Sequence, residues 1–93
     1  MNFLIINCVK DPETSNSTLK LSVNNTSTEK YNLGNFVITL YDKDKNMLVT
    51  SGASICDYDE RNGCVLNSHQ SKEFELIVGV DACNTVYVEY SLD

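Results

Sequence analysis

His69 is the only histidine in the chain, and it limits the chemistry on offer. Nucleophilic catalysis by serine or cysteine needs a base held by an orienting partner, and here that base could only be His69. It sits in the polar stretch Asn67-Ser68-His69-Gln70-Ser71, which reads as a solvated loop, and no cysteine lies near it. The sequence contains no G-x-S-x-G nucleophile turn, no G-x-x-x-x-G-K-S/T or G-x-G-x-x-G phosphate loop and no H-E-x-x-H motif. The expectation is a protein that is not an enzyme and takes no cofactor.

Carboxylates are the more abundant resource. Thirteen Asp and Glu stand against seven Lys and Arg, a formal charge of −6. That balance argues against nucleic acid, because affinity for a phosphate backbone needs clustered cations. It leaves room for a basic protein partner, although acidity commonly serves solubility alone. Asp42-Lys43-Asp44-Lys45-Asn46 has the D-x-D-x-N spacing of a calcium loop, but Met47 stands where an EF-hand loop turns on glycine and Ala53 where it closes on glutamate. Asp57-Tyr58-Asp59-Glu60-Arg61-Asn62-Gly63 is denser, yet Arg61 occupies a position that should supply a ligand oxygen. Turn-forming Asp, Asn and Gly explain both segments without a metal.

The elements that must hold these loops are strands. Period-two alternation recurs between clusters of Asn, Asp, Ser and Gly. Residues 2–9 form an apolar, β-branched run ended near Pro12, which cannot donate to a ladder. Leu19, Leu21 and Val23 alternate with polar neighbours; Phe36, Ile38 and Leu40 do the same, and the turn at residues 42–46 leads into a hairpin partner over residues 47–54. Phe74, Leu76, Val78 and Val80 are answered by Val86, Val88, Tyr90 and Leu92, which reads as a second hairpin around residues 81–84. No segment keeps a 3.6-residue apolar period, and Thr, Val, Asn and Ser disfavour helix. Six to seven strands in 93 residues predict one domain, an all-β, immunoglobulin-like antiparallel sandwich. No run approaches the roughly 20 apolar residues of a membrane-spanning helix, so no membrane insertion is expected.

Four cysteines, Cys8, Cys56, Cys64 and Cys83, permit three pairings. If successive strands alternate in direction, Cys8 and Cys83 share one end of the sandwich, and Cys56 and Cys64 bracket a loop at the other. The expected bridges are Cys8–Cys83 and Cys56–Cys64, since the cross-pairings would have to span the length of the sandwich. The alternative is four reduced thiols in a cytosolic protein. Zinc is disfavoured by the eight-position step from Cys56 to Cys64 and by the single histidine. A bridged Cys56–Cys64 loop would present Asp57, Tyr58, Asp59, Glu60 and Arg61 as a constrained surface, and Tyr and Arg are the types that most often dominate interfaces. Three triplets, beginning at Asn16, Asn24 and Asn25, fit N-x-S/T, a pattern that also arises by chance in an Asn-rich chain.

The run Phe36-Val37-Ile38-Thr39-Leu40-Tyr41-Asp42-Lys43-Asp44, followed by Met47-Leu48-Val49-Thr50, resembles the FxLYD family of small immunoglobulin-like domains. Leu21-Ser22-Val23-Asn24-Asn25 is similar to that family's preceding strand, and Gln70-Ser71-Lys72-Glu73-Phe74 to its polar turn into a strand begun by Phe. The resemblance spans roughly residues 19–92. It implies a sandwich of the kind found mostly in prokaryotic cell-envelope and secreted proteins, with no shared catalytic residues.

Two functions fit these observations. The first is a non-enzymatic binding or spacer module, extracellular or in the cell envelope, that contacts a protein through its end loops. The second is a small cytoplasmic inhibitor or immunity-type protein whose acidic loops occlude a basic target.

Overall fold

Alternation turns into architecture strand by strand. The structure, a computed structural model, describes residues 1–57, 61 and 63–92. Its elements are β1 (Asn2–Lys10), β2 (Ser17–Asn24), β3 (Tyr31–Asn32), β4 (Phe36–Tyr41), β5 (Met47–Ala53), β6 (Val65–Leu66), β7 (Ser71–Val78) and β8 (Tyr87–Leu92). All are strands, paired antiparallel in three sheets, β1-β2-β7, β5-β4-β8 and the short pair β3-β6. Among the described residues no helix is long and apolar enough to cross a membrane.

The two three-stranded sheets turn their apolar faces onto one core. β2 contributes Leu19, Leu21 and Val23, β7 contributes Phe74, Leu76 and Val78, and β4 contributes Phe36, Ile38 and Leu40, the odd or even set that sequence parity assigned to the inside. The connections add Leu33, Ile55 and Ala82, and the two-residue β6 adds Leu66, none of which strand alternation reveals. Four rings stitch the sheets together. Phe3 of β1 lies 6.2 Å from Phe74 and 6.1 Å from Phe36, with Phe36 and Phe74 5.8 Å apart and Tyr90 of β8 5.3 Å from Phe3. Such tilted and edge-on pairs stabilise a core beyond the area they bury.

A bulge decides where β1 points. Phe3 and Ile5 face inward opposite Val23 and Leu21, and regular alternation would then send Cys8 outward. The register shift between Ile5 and Asn7 inserts one residue, so Cys8 comes to lie opposite Leu19 and packs on the core. There it meets Cys83 in a disulfide with a Cα separation of 5.4 Å. The second disulfide joins Cys56 to Cys64. Both bridges are the expected ones.

The expected second hairpin does not form. β7 pairs with β2 and β8 pairs with β4, so the last two long strands belong to different sheets. The connection over residues 79–86 makes the crossing because it is anchored inside the fold: Ala82 is fully buried, its N–H donates to Ser17 Oγ at 2.9 Å, and Ser17 Oγ donates to the Val80 carbonyl at 2.7 Å. Val80 and Val86, expected on the inward face, lie in this connection and are 39% and 56% exposed. Tyr90 does keep the inward parity, opposite buried Ile38, yet remains 40% exposed because β8 is an edge strand with a neighbour on one side only.

Candidate functional site

The loop singled out by the cysteines lies at the end of the fold where β4 begins. Leu33, fully buried, donates its N–H to the Cys64 carbonyl at 2.8 Å and accepts from Ile55 N–H at 3.1 Å, tying both sides of the loop's base to the core. Inside the bridge, Asp57 N–H donates to the Gly63 carbonyl at 3.2 Å, and Lys72 Nζ donates to the same oxygen at 3.0 Å. Gly63 is required by space: a Cβ there would run into the Asp57 carbonyl. Asp57 and Arg61 are exposed, whereas Tyr58, Asp59 and Glu60 lie outside the described residues. The base of the loop is therefore well defined, and two of its five candidate contact residues are placed.

The opposite end carries a surface that the sequence pattern did not single out. In the β4–β5 turn Asp42 Oδ1 accepts from the N–H groups of Asp44 and Asn46, each at 2.9 Å. The Asp42 backbone closes the turn, accepting from Lys45 N–H and donating to the Asn46 carbonyl, both at 3.0 Å. Hydrogen bonding from the Asn46 N–H, with that of Asp44 assisting, holds the Asp42 carboxyl below the ordinary carboxylate range. The D-x-D-x-N spacing is thus that of a self-bonded turn. Lys45 adopts the left-handed conformation at φ 64°, and its ammonium lies 5.6 Å from the centroid of the Tyr87 ring.

Register then assembles the site. Tyr41 pairs with Met47 on one side and Tyr87 on the other, a row across the outer face of the β5-β4-β8 sheet. Met47 is 64% exposed and Tyr87 45%, and the neighbouring Val86 is 56% exposed. The Tyr41 hydroxyl donates to Glu89 Oε2 at 2.9 Å, and this bond to a carboxylate raises the Tyr41 pKa. Tyr41, Lys45, Val86, Tyr87, Val88 and Glu89 line an open hollow of about 490 Å³. Two phenol rings and two valines beside one ammonium and one carboxylate can grip an apolar side chain while bonding to polar groups at its rim. The alternation of Phe36, Ile38 and Leu40 leaves Tyr41 outward; what the sequence lacked was the register that sets Tyr87 beside it.

No family model matches the chain, and no curated protein and no solved structure matches it.

Proposed function

We propose that this chain is a non-enzymatic binding module of the immunoglobulin-like sandwich type, akin to FxLYD domains, that acts outside the cytoplasm and docks a protein partner. The pairing orders β1-β2-β7 and β5-β4-β8 around a shared core support the sandwich reading, since they correspond to strands A-B-E and C′-C-F of that fold. The observation that carries the function is the Met47–Tyr41–Tyr87 row, exposed at both ends and half-buried at Tyr41, with Val86 and Lys45 beside it. Large apolar and aromatic side chains gathered beside charged groups on a surface mark interaction sites, and Tyr is prominent among residues that dominate binding energy. With a chain charge of −6, a partner of basic character is favoured.

Two disulfides favour this reading over a cytoplasmic inhibitor, because the cytosol keeps most thiols reduced. The Cys56–Cys64 loop, with Asp57, Tyr58, Asp59, Glu60 and Arg61, serves as a second contact surface at the far end.

Photo-crosslinking from position 87, from position 58 and from position 50 on the chain in its native setting tests the proposal. Thr50 shares the outer face of the sheet with Tyr87 but lies outside the hollow. A discrete protein adduct from position 87 and none from position 50 is expected. Adducts from position 58 alone would move the contact to the disulfide loop, and none from either would remove the binding function.

A further inference from the structure

The three N-x-S/T triplets, two ending in Thr and one in Ser, are unequal in the fold. Asn25 is fully buried, and its Nδ2 donates to the carbonyls of Glu29 at 2.6 Å, Asn67 at 3.1 Å and Leu66 at 3.4 Å. A sugar on that nitrogen would remove one of its two protons and would need volume that does not exist there. Asn24 ends β2, the middle strand of its sheet, with Asn2 in register on one side and Ser71 on the other, and Ser71 Oγ donates to its Oδ1 at 3.1 Å. Asn16 differs from both. It lies in the β1–β2 turn, which is held without its carboxamide: Asp11 N–H donates to the Asn16 carbonyl at 2.8 Å, Ser15 N–H to the Asp11 carbonyl at 3.1 Å, and Ser15 takes φ 62°. Asn16 is half-buried, and a Cβ added at Gly79 would lie 3.9 Å from its Oδ1, an ordinary contact. Among the described residues the Asn16 carboxamide makes no hydrogen bond that a substituent would break.

We propose that Asn16 is an N-glycan acceptor and that Asn25 is closed to modification by the fold. This rests on the extracytoplasmic reading above. The donor is a lipid-pyrophosphate-linked oligosaccharide: the anomeric C1–O bond to phosphate breaks, a C1–Nδ2 bond forms, the carboxamide gives up one proton and the lipid pyrophosphate leaves. A second observation gives the glycan a place to lie. Thr18, the hydroxyl residue of this triplet, sits between Val9 and Ile77 on the outer face of the β1-β2-β7 sheet, and those two side chains are 58% and 66% exposed. A glycan rooted at Asn16 covers apolar surface that otherwise faces water. It also stands on the sheet opposite the Tyr41–Tyr87 hollow and leaves that hollow open.

The full chain, secreted from a eukaryotic cell behind a heterologous leader, is treated with peptide-N-glycosidase in heavy-oxygen water, and its peptides are mapped by mass. The expected result is conversion of Asn16 to labelled Asp, with Asn25 unlabelled, and loss of the Asn16 glycan in both Asn16→Gln and Thr18→Val. Thr18→Val keeps the asparagine and a β-branched residue in the strand, so its loss of the glycan reports recognition of the triplet and not misfolding. An unlabelled Asn16, or a labelled Asn25 in folded protein, overturns the proposal. Disulfide mapping of the same material is a separate readout: bridged cysteines with an unmodified Asn16 defeat the acceptor assignment and spare the extracytoplasmic reading, whereas free thiols beside a modified Asn16 do the reverse.

Discussion

Asn25 Nδ2 lies 3.1 Å from the carbonyl oxygen of Asn67, a bond that joins two loops 42 residues apart in sequence. The same carboxamide is saturated on its other side, where Oδ1 accepts from Ser27 N–H at 3.0 Å and Ser27 Oγ at 2.8 Å. Its backbone is spent too, with Asn25 N–H on the Gln70 carbonyl and His69 N–H on the Asn25 carbonyl, each at 2.9 Å. One buried amide thus replaces the sheet ladder where β2 ends, and it fixes the loops that lead toward the Cys56–Cys64 bridge.

Removing that amide should be costly. Asn25→Asp keeps the shape, withdraws the donor and sets a carboxylate against three carbonyl oxygens. A loss of at least about 2 kcal/mol is expected, from the price of buried polar groups left without partners. Urea unfolding measures it, and an Asn25→Asp variant as stable as the parent would show that the loops are held by something else.

Acid should weaken the other end. Asp11, Asp42 and Asp81 are each held below the ordinary Asp value of 3.8, foremost by a backbone N–H, from Glu13, Asn46 and Cys83 respectively, with Lys10 Nζ also bonding to Asp81 at 3.2 Å. Depressed carboxyl pKa values mean that the folded state favours the charged form. The stability they contribute is complete above the ordinary value and disappears as pH falls through the lower folded values. Melting temperature should therefore change little from neutrality to about pH 5 and drop below about pH 4. In the triple variant Asp11→Asn, Asp42→Asn, Asp81→Asn the acid limb should be shallower; an equally steep limb would place the acid sensitivity elsewhere.

Parity made much of this fold legible. Leu21, Val23, Phe36, Ile38, Leu40, Phe74, Leu76 and Val78 are buried as their alternation requires, because a one-residue slip would turn each set to water. What parity cannot encode is partner choice. β7 and β8 each alternate as hairpin strands would, and it is their ladders to β2 and β4 that show the chain crossing between sheets. The bulge after Ile5 is equally silent in sequence, although the inward Cys8 depends on it. The Tyr41–Tyr87 pairing is a register fact of the same kind, which is why the hollow went unread while the cysteine-bracketed loop stood out.

Gly63 offers a sharp test of that loop. Alanine there would drive a methyl group into the Asp57 carbonyl, and both residues belong to the backbone pair that closes the bridge. Gly63→Ala should cost about 1–3 kcal/mol, the range for forced overpacking. Gly52→Ala is the control, since a Cβ at Gly52 meets nothing within 4 Å. Equal melting temperatures for the two variants would mean that the loop relaxes freely.

The two disulfides should differ in worth, and in a predictable order. Cys8–Cys83 closes a separation of 75 residues and Cys56–Cys64 one of 8. On the chain-entropy model the long closure removes denatured-state freedom worth about 4.5 kcal/mol and the short one about 2.5 kcal/mol. Position widens the gap, because Cys8 packs against the core and its bridge pins the 79–86 crossing to β1. In a domain of 93 residues, where total stability is commonly about 5–10 kcal/mol, losing the long bridge removes a large share. The double variant Cys8→Ala, Cys83→Ala should therefore melt well below Cys56→Ala, Cys64→Ala and expose more surface early in denaturant. Calorimetry on both, with the remaining bridge confirmed by peptide mapping, gives the comparison. If the Cys56–Cys64 variant proved the less stable of the two, the disulfide loop would be structurally more important than the crossing, and β8 would have to be anchored chiefly by its ladder to β4.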